Sequence, residues 1–429
     1  MHIAIIGAGF TGLTAGLRLA QSGHAVTIFE KESVPGGLAV GFKKESWDWD
    51  LEKHYHHIFT SDTAIRTLAQ EIGISFSFSR PNTSSLVEGD ILQLDSPLKL
   101  LQFPKLTIAE RMRMGAVLGY LKYASGHEGL EQFTAHEWLT KQMGKRPYEL
   151  LWEPLLVSKF GSEYQHISLA WFWARIKARS TELGYPDRGF QHIAYQIANA
   201  IKTKGGSIRY NTTISQIEQT GNETIVHREG ESDRFDQILV TVPNVLFARL
   251  TPQLPRLYQD KLLAFKGIGA VNMVLELDAP FFESGVYWLS VCEKEYPFLA
   301  VVEHTHFVDK AHYGNKHIVY VGNYVPADHP FMSKTPDELL EIYDPYLKKL
   351  NPTYGEHLKS VTQFSVPFAQ PIVPVNFSRR LLPFETPLDR IFLANMQQVY
   401  PWDRGTNFAV EMGERVAQKL ISPRGTIGA

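Results

Sequence analysis

A single cysteine, Cys292, stands in 429 residues. That excludes an intrachain disulfide and a metal site built on several thiolates, and it makes the reducing cytoplasm the expected setting. Long apolar runs are also missing. The stretch from Ile3 to Leu17 has no basic region ahead of it and is cut short by Arg18, so it reads neither as a signal peptide nor as a bilayer span. Charge of one sign is not in excess either. The 43 basic and 45 acidic residues leave a net charge of −2, which gives no electrostatic footprint for nucleic acid or for an anionic membrane. What the chain does have is 44% hydrophobic and 12% aromatic residues, enough for a large buried interior. Its length fits about two or three domains of a soluble, enzyme-sized protein.

The most informative stretch runs from His2 to Glu30. Ile3, Ala4, Ile5 and Ile6 lead directly into Gly7-Ala8-Gly9-Phe10-Thr11-Gly12, and a helical pattern with Leu13, Leu17 and Leu19 on one face follows, stopping at Gly23. Ala25 to Phe29 then reads as a second strand that ends on Glu30, 18 residues past the third glycine. This is a strand–turn–helix–strand unit with GxGxxG at the turn. Gly7 permits the tight turn, Gly9 lets a diphosphate approach the backbone, and Gly12 lets the helix lie close to the sheet. Free amides at Phe10 and Thr11 with the helix dipole suit phosphate, and Glu30 can accept both hydroxyls of a ribose. The bland alternative is a glycine-rich turn in an ordinary α/β protein; the flanking strands and the placed acid argue for a dinucleotide.

After Glu30 comes Lys31-Glu32-Ser33-Val34-Pro35-Gly36-Gly37-Leu38, whose glycine pair points to a second close approach of backbone to cofactor. With GxGxxG and Glu30, this pair resembles the flavoprotein group of amine oxidases, protoporphyrinogen oxidases and UDP-galactopyranose mutases. That group often has Arg after the pair, where this chain has Leu38. The resemblance implies an α/β fold, with a Rossmann-like FAD-binding domain of the glutathione reductase type interleaved with an α+β substrate domain. FAD-binding segments are expected at 1–60, 183–244 and 387–429. Substrate-domain segments are expected at 61–182, mostly helical, and at 245–386, a sheet plus helix.

Further likenesses follow in chain order. The run 47–59 resembles the family segment that passes beside the flavin ring, with Lys53 where relatives carry glycine. As a strand it would put His54 and His56 on one face and His57 on the other. Flavin or substrate contact by His56 or His57, satisfied structural histidines, and a metal site are the three readings. Thr107 with Glu110, Thr134 with Glu137 and Thr335 with Glu338 have capping-box spacing, and Glu88-Gly89-Asp90 reads as a hairpin turn. The stretch 152–179 is rich in aromatics and bases. It reads as a helix packed on the core with solvated bases, as the wall of a substrate cavity, or as a membrane-docking surface.

The segment 183–191 is similar to the family's return to the FAD domain. Ile214 matches the position whose backbone meets the adenine. Amine oxidases carry a lysine on a substrate-domain strand near flavin N5; the register puts Asn272 there, with Lys266 displaced. The final strand, loop and helix, residues 390–420, resemble the family's last unit. There Asn395 would meet the ribityl chain, and Gly405, Thr406 and Asn407 would open a helix aimed at the flavin. Tyr400 is a candidate cavity wall.

The resemblance implies an FAD-dependent oxidoreductase that takes a hydride from a C–N or C–C bond of a small-molecule substrate. His56, His57 and Tyr400 are the catalytic candidates, and FAD is expected to bind non-covalently with no metal. Two alternatives stay open. One is a redox-neutral sugar-nucleotide mutase, for which Arg175, Arg179, Arg379 and Arg380 could meet a diphosphate. The other is a non-catalytic escort protein similar to the Rab GDP-dissociation inhibitors.

Overall fold

The computed structural model describes residues 1–124, 126–221 and 223–421; the last eight residues of the expected segment 387–429 lie outside these. Five strands form a parallel sheet in the spatial order Ser207–Arg209, Ala25–Phe29, His2–Ile6, Gln237–Val240 and Ile391–Leu393. Its central strand is sealed on both faces, with Ile3, Ala4 and Ile5 at 0% exposure, as the unbroken apolar run requires. The sheet thus gathers strands from three separate stretches of the chain. The helices Phe10–Gln21, Gly189–Thr203 and Thr406–Ile421 pack over it, the first touching both of the others.

Glycines set those helix contacts. A Cβ on Gly12 would lie 2.1 Å from the carbonyl oxygen of Gly7. One on Gly413 would lie 2.7 Å from both Thr11 O and Thr14 Cβ, so the last helix crosses the first backbone to backbone.

A second, seven-stranded sheet runs in the order Leu358–Pro371, Gly267–Leu277, His317–Val325, Ala300–Glu303, Val286–Val291, Asn82–Val87 and Asp90–Gln93. Its pairings are antiparallel except for the one between Val286–Val291 and Asn82–Val87. The outer hairpin turns through Glu88 and Gly89, both at positive φ (49° and 80°), the twist a two-residue loop needs. Between the two hairpin strands and the return to the parallel sheet lies a helical unit that includes Ile108–Tyr123, Ala135–Met143, Glu153–Phe160 and Leu169–Ala178. It has its own core around Met114, Leu139, Tyr148, Leu151 and Trp171.

The capping boxes at Thr107 and Thr335 are complete. The one expected at Thr134 is half formed: Glu137 N donates to Thr134 Oγ1 at 3.2 Å without the return bond. The chain enters that helix pinned to Ser168 by an isolated bridge, which sets its path. Among the described residues no helix is long and apolar enough to cross a membrane.

One buried acid positions the histidine segment. Glu52, at 0% exposure, accepts from Tyr185 Oη and from Phe190 N, both at 2.7 Å, while its own carbonyl accepts from Tyr320 Oη at 2.7 Å. It thereby ties the start of the helix Gly189–Thr203 to the mixed sheet. Burial pushes its carboxyl up to about 7 from 4.5.

Two expectations follow from these contacts. The raised carboxyl favours the folded state fully below pH 4.5, and that contribution is lost as pH rises through about 7. Glu52→Gln cannot ionise, so its stability relative to wild type should climb across that window by about 3 kcal/mol; parallel urea-denaturation curves at pH 4.5 and 7.5 would contradict this. Gly413→Ala should push the last helix off the first and cost about 1–3 kcal/mol in the same assay, the usual range for overpacking.

Candidate functional site

The glycine turn takes the geometry its sequence asks for. Gly7 sits at φ 106°, and the first helix begins at Gly9 with no side-chain cap and no acid in its first turn. Phe10, Thr11 and Gly12 are nevertheless buried. A helix leaves four amides without intrahelical partners, and a start with neither side-chain cap nor acid is a ready-made anion site. The second glycine pair closes on the first. Gly36 N donates to Ala8 O at 2.9 Å, and a Cβ on Gly37 would come within 3.0 Å of Gly9 Cα. Gly36 and Gly37 both have positive φ (133° and 60°).

Glu30, 8% exposed, ends the second strand with its carboxylate turned back on this turn. Oε2 accepts from Ala8 N at 2.7 Å and Oε1 from Glu32 N at 3.0 Å. Each oxygen has a second lone pair free for a hydroxyl. Lys31 is exposed and pairs with Glu32 at 3.2 Å; Leu38 is half-buried in a short turn of helix. Ile214 is buried against the same corner of the sheet, in one apolar cluster with Ile6 and Phe29. An uncapped helix end, a facing acid and two glycine turns fit a dinucleotide.

The last helix likewise has no acid in its first turn. Gly405 O accepts from Ala409 N at 3.0 Å, and Gly405 itself is exposed. Thr406 and Asn407 are buried. The Asn407 side chain accepts from Ile65 N at 3.2 Å and donates to Glu411 at 2.8 Å. Asn395 is more fully engaged than its sequence position implies. Its amide nitrogen donates to Val242 O (2.9 Å) and Asn244 Oδ1 (2.8 Å), and its oxygen caps Gln397 N (3.0 Å). Both of its side-chain donors are spent within the protein.

The histidine segment hangs between the two sheets, held at one end by Glu52 and along its length by Asn272, whose Nδ2 donates to Lys53 O at 2.7 Å. Asn272 Oδ1 is buried with no partner among the described residues. Lys266, the displaced lysine, is exposed and pairs with Glu163 at 2.8 Å. His56 Nδ1 lies 2.6 Å from His54 O, and the hydrogen bond assigns the proton to Nδ1 and the lone pair to Nε2. His57 Nδ1 lies 3.2 Å from Tyr287 Oη. Tyr55 packs edge-on to Trp288 at 4.9 Å, and Gly322 is glycine because a Cβ there would strike the Tyr55 ring at 2.5 Å.

Burial pushes the three imidazoles down, His54 and His57 to about 3 and His56 to about 4, so all are neutral near pH 7. Yet His54, Tyr55, His56 and His57 each keep accessible surface. Surface that is deep in the protein and still accessible borders an internal hollow.

Across that hollow lies a group that sequence reasoning did not assemble. Asp403, in the loop ahead of the last helix, accepts from Trp171 Nε1, Gln370 Nε2 and Arg404 N, each at 3.1 Å. It also pairs with Lys159 at 3.4 Å and with Arg175 in a short contact. Lys159, Arg175 and Arg404 hold its carboxyl far below the usual carboxylate range against the cost of burial. The signals available were the sequence Asp403-Arg404-Gly405 beside the cofactor helix and the bases within 152–179, but nothing local says they meet.

Tyr400 turns elsewhere. It donates to Glu131 at 2.7 Å and packs against His127 and Phe377. Arg379 and Arg380 are exposed. A surface cleft of about 310 Å³, lined by Val157, Tyr296, Asn323 and Tyr324 among others, shares Tyr324 with the Asp403 group. A larger one, of about 720 Å³, follows the outer hairpin past Arg80 and Asp95 and contains none of the expected site residues. Among the described residues one group has metal-ligand spacing, Glu303, His306 and His317, with atoms within 4.8 Å of one another. Protein hydrogen bonds already engage it: Glu303 accepts from the amides of Phe281 and Phe282, and His317 lies between Glu303 and Lys310.

The 15-cis-phytoene desaturase of Narcissus pseudonarcissus is 23% identical over 405 residues, covering 82% of this chain and 66% of the desaturase. That of Capsicum annuum is 24% identical over 330 residues, covering 65% and 53%. The chain thus spans between about half and two thirds of the length of these curated relatives. Putrescine oxidase bound to putrescine has the same fold, with a TM-score of 0.77 at 15% identity over 99% of this chain and 100% of the other. Cyclohexylamine oxidase from Brevibacterium oxydans IH-35A gives 0.74 at 15% identity over 98% of each. The model of the flavin containing amine oxidoreductases matches residues 10–421, nearly the whole chain from its glycine turn to the end of its last helix. The chain belongs to the flavin containing amine oxidoreductase family.

Proposed function

We propose that the chain is an FAD-dependent oxidoreductase that holds FAD without a covalent link. It removes a hydride from a C–N or C–C bond of a small organic substrate lodged between the parallel-sheet and mixed-sheet units. The observation that carries this reading is the buried, uncapped start of the first helix, faced by Glu30 and by Gly36 and Gly37. FAD, when bound, supplies the two-electron acceptor.

The chain's own residues would do the rest. First-turn amides at Phe10 and Thr11 would hold the diphosphate, and Glu30 the ribose. Amides at Thr406 and Asn407, with the helix dipole, favour negative charge on the flavin's pyrimidine edge. Neutral His56, its tautomer fixed on His54 O, would offer Nε2 as a hydrogen-bond acceptor that orients the substrate. Tyr55, Tyr287 and Trp288 pack beside the histidines and would shield the reacting bond from water once substrate fills the hollow. Cys292 supports the non-covalent reading: it lies buried in the helical core, with its thiol against Leu151 O.

A second reading is a redox-neutral rearrangement of a sugar nucleotide. Arg175 and Arg179, which border the hollow, favour it. Turnover of UDP-galactopyranose only after dithionite reduction, with no net use of reductant, would select it.

The purified protein is expected to be yellow and to release about one FAD per chain on acid precipitation. Glu30→Gln should weaken FAD binding about ten-fold, as loss of a charge-assisted pair of hydrogen bonds does. Flavin that stays with the precipitate would overturn the non-covalent link, and colourless protein that takes up no added FAD would overturn the function.

A further inference from the structure

Four cations border the hollow against one carboxylate. Lys159, Arg175 and Arg404 surround Asp403, and Arg179 lies one helical turn past Arg175. Burial lowers the Lys159 ammonium well below its ordinary value. Even with Lys159 neutral, three guanidiniums against one carboxylate leave an excess of two positive charges. Arginine stays charged when buried, so the excess persists near neutral pH.

The arginines are also incompletely paired. Arg404 Nε is buried with no hydrogen-bond partner among the described residues, as is His54 Nε2 close by. The Arg179 guanidinium makes no hydrogen bond or ion pair with any described residue. Arg179 is exposed, and its charge is one of those that lower the His57 imidazole, so the group lies on the histidine side of the hollow. Cations at a helix C-terminus are common because the dipole favours them, and that accounts for Arg175 and Arg179 being at the end of Leu169–Ala178. It does not account for Arg175 reaching to Asp403, or for the bare Nε of Arg404, whose Nη2 is held by Tyr324 Oη, and the unpaired guanidinium of Arg179. Aromatic faces hold the set in place: Trp171 lies 5.2 Å from Lys159 Nζ and 5.1 Å from Arg175 Cζ, and Tyr324 lies 5.6 Å from Arg404 Cζ. Tyr324 also walls the 310 Å³ cleft, which gives the cluster a face toward the surface.

We propose that this cluster is a substrate-anchoring site for an oxyanion, a phosphate, diphosphate or carboxylate group, and that the substrate is therefore acidic and not a protonated amine. This rests on the hollow being the substrate space of the proposed function. An ammonium substrate would add a positive charge to a site already in excess and would leave the free guanidinium donors unpaired. An oxyanion accepts from several of them at once, the arrangement in which arginine forks recognise phosphate and carboxylate.

The test is calorimetric titration of the full-length protein as purified, with inorganic pyrophosphate, benzoate and benzylamine as separate probes, beside its visible spectrum. Pyrophosphate or benzoate should bind, and Arg179→Met should weaken that binding about ten-fold or more while FAD content and melting temperature stay at wild-type values. Which of the two anions binds tells phosphate from carboxylate. Arg379→Met, on the exposed outer turn, should change nothing. Benzylamine binding in place of the anions would overturn the proposal. Anion binding indifferent to Arg179→Met would do the same, since pyrophosphate would then sit on the glycine turn. Loss of FAD in Arg179→Met would overturn it too, by giving the arginine to the cofactor. Colourless protein whose pyrophosphate affinity still depends on Arg179 would sink the flavin reading and leave the oxyanion site standing.

Discussion

Asp403 is the point on which the interior depends. Its carboxylate takes hydrogen bonds or ion pairs from the helix Leu169–Ala178, the helix Glu153–Phe160, the strand Leu358–Pro371 and its own loop. The helical unit, the mixed sheet and the loop ahead of the last helix are thereby brought to one carboxylate. Removing one partner of such an ion pair costs about 3–5 kcal/mol, because the remaining charges are left uncompensated in a low dielectric. The loop so fixed leads directly into the last helix, and that helix crosses the first one at Gly413. The position of one helix start relative to the other is thus set by a carboxylate at one end and a missing Cβ at the other.

Between these helix starts the histidine segment is suspended by a few polar contacts to its backbone and by aromatic packing of Tyr55, His56 and His57. Glu52 and Asn272 hold its backbone, while its side chains face inward onto the hollow. The consequence is electrostatic. The histidines have lost their charge to burial, whereas the arginines opposite have kept theirs. One wall of the hollow offers uncharged hydrogen-bonding groups near neutral pH and the other can hold a negative group, a division of labour that burial produces because imidazole and guanidinium differ so widely in basicity.

What could be read from the sequence was what is decided locally. The strand–turn–helix–strand unit, the hairpin at Glu88-Gly89 and the capping boxes at Thr107 and Thr335 depend on residues within a few positions of one another, and each appears in the structure. Membership of the flavoprotein group could be read for the same reason, because its motifs lie at the glycine turns and at the last helix. The residues that escaped are those whose partners are remote. Lys159 and Asp403 are 244 positions apart, and Tyr400 finds Glu131 across 269. Asn395 illustrates the converse: its place at a strand end was evident, but Val242 and Asn244, which take up its side chain, are 153 and 151 positions away. At Thr134 a local signal was present, and an isolated bridge to Ser168 set the path instead.

The most direct test of this account is a crystal structure of the yellow protein at a resolution that places a dinucleotide. The account expects FAD with its diphosphate on the first-turn amides of Phe10–Gln21, its ribose on Glu30, and its ring between the histidine segment and the start of Thr406–Ile421. Arg179 is expected to stay clear of the cofactor. A dinucleotide seated elsewhere, or a diphosphate held by Arg175 and Arg179 with the glycine turn empty, would contradict it.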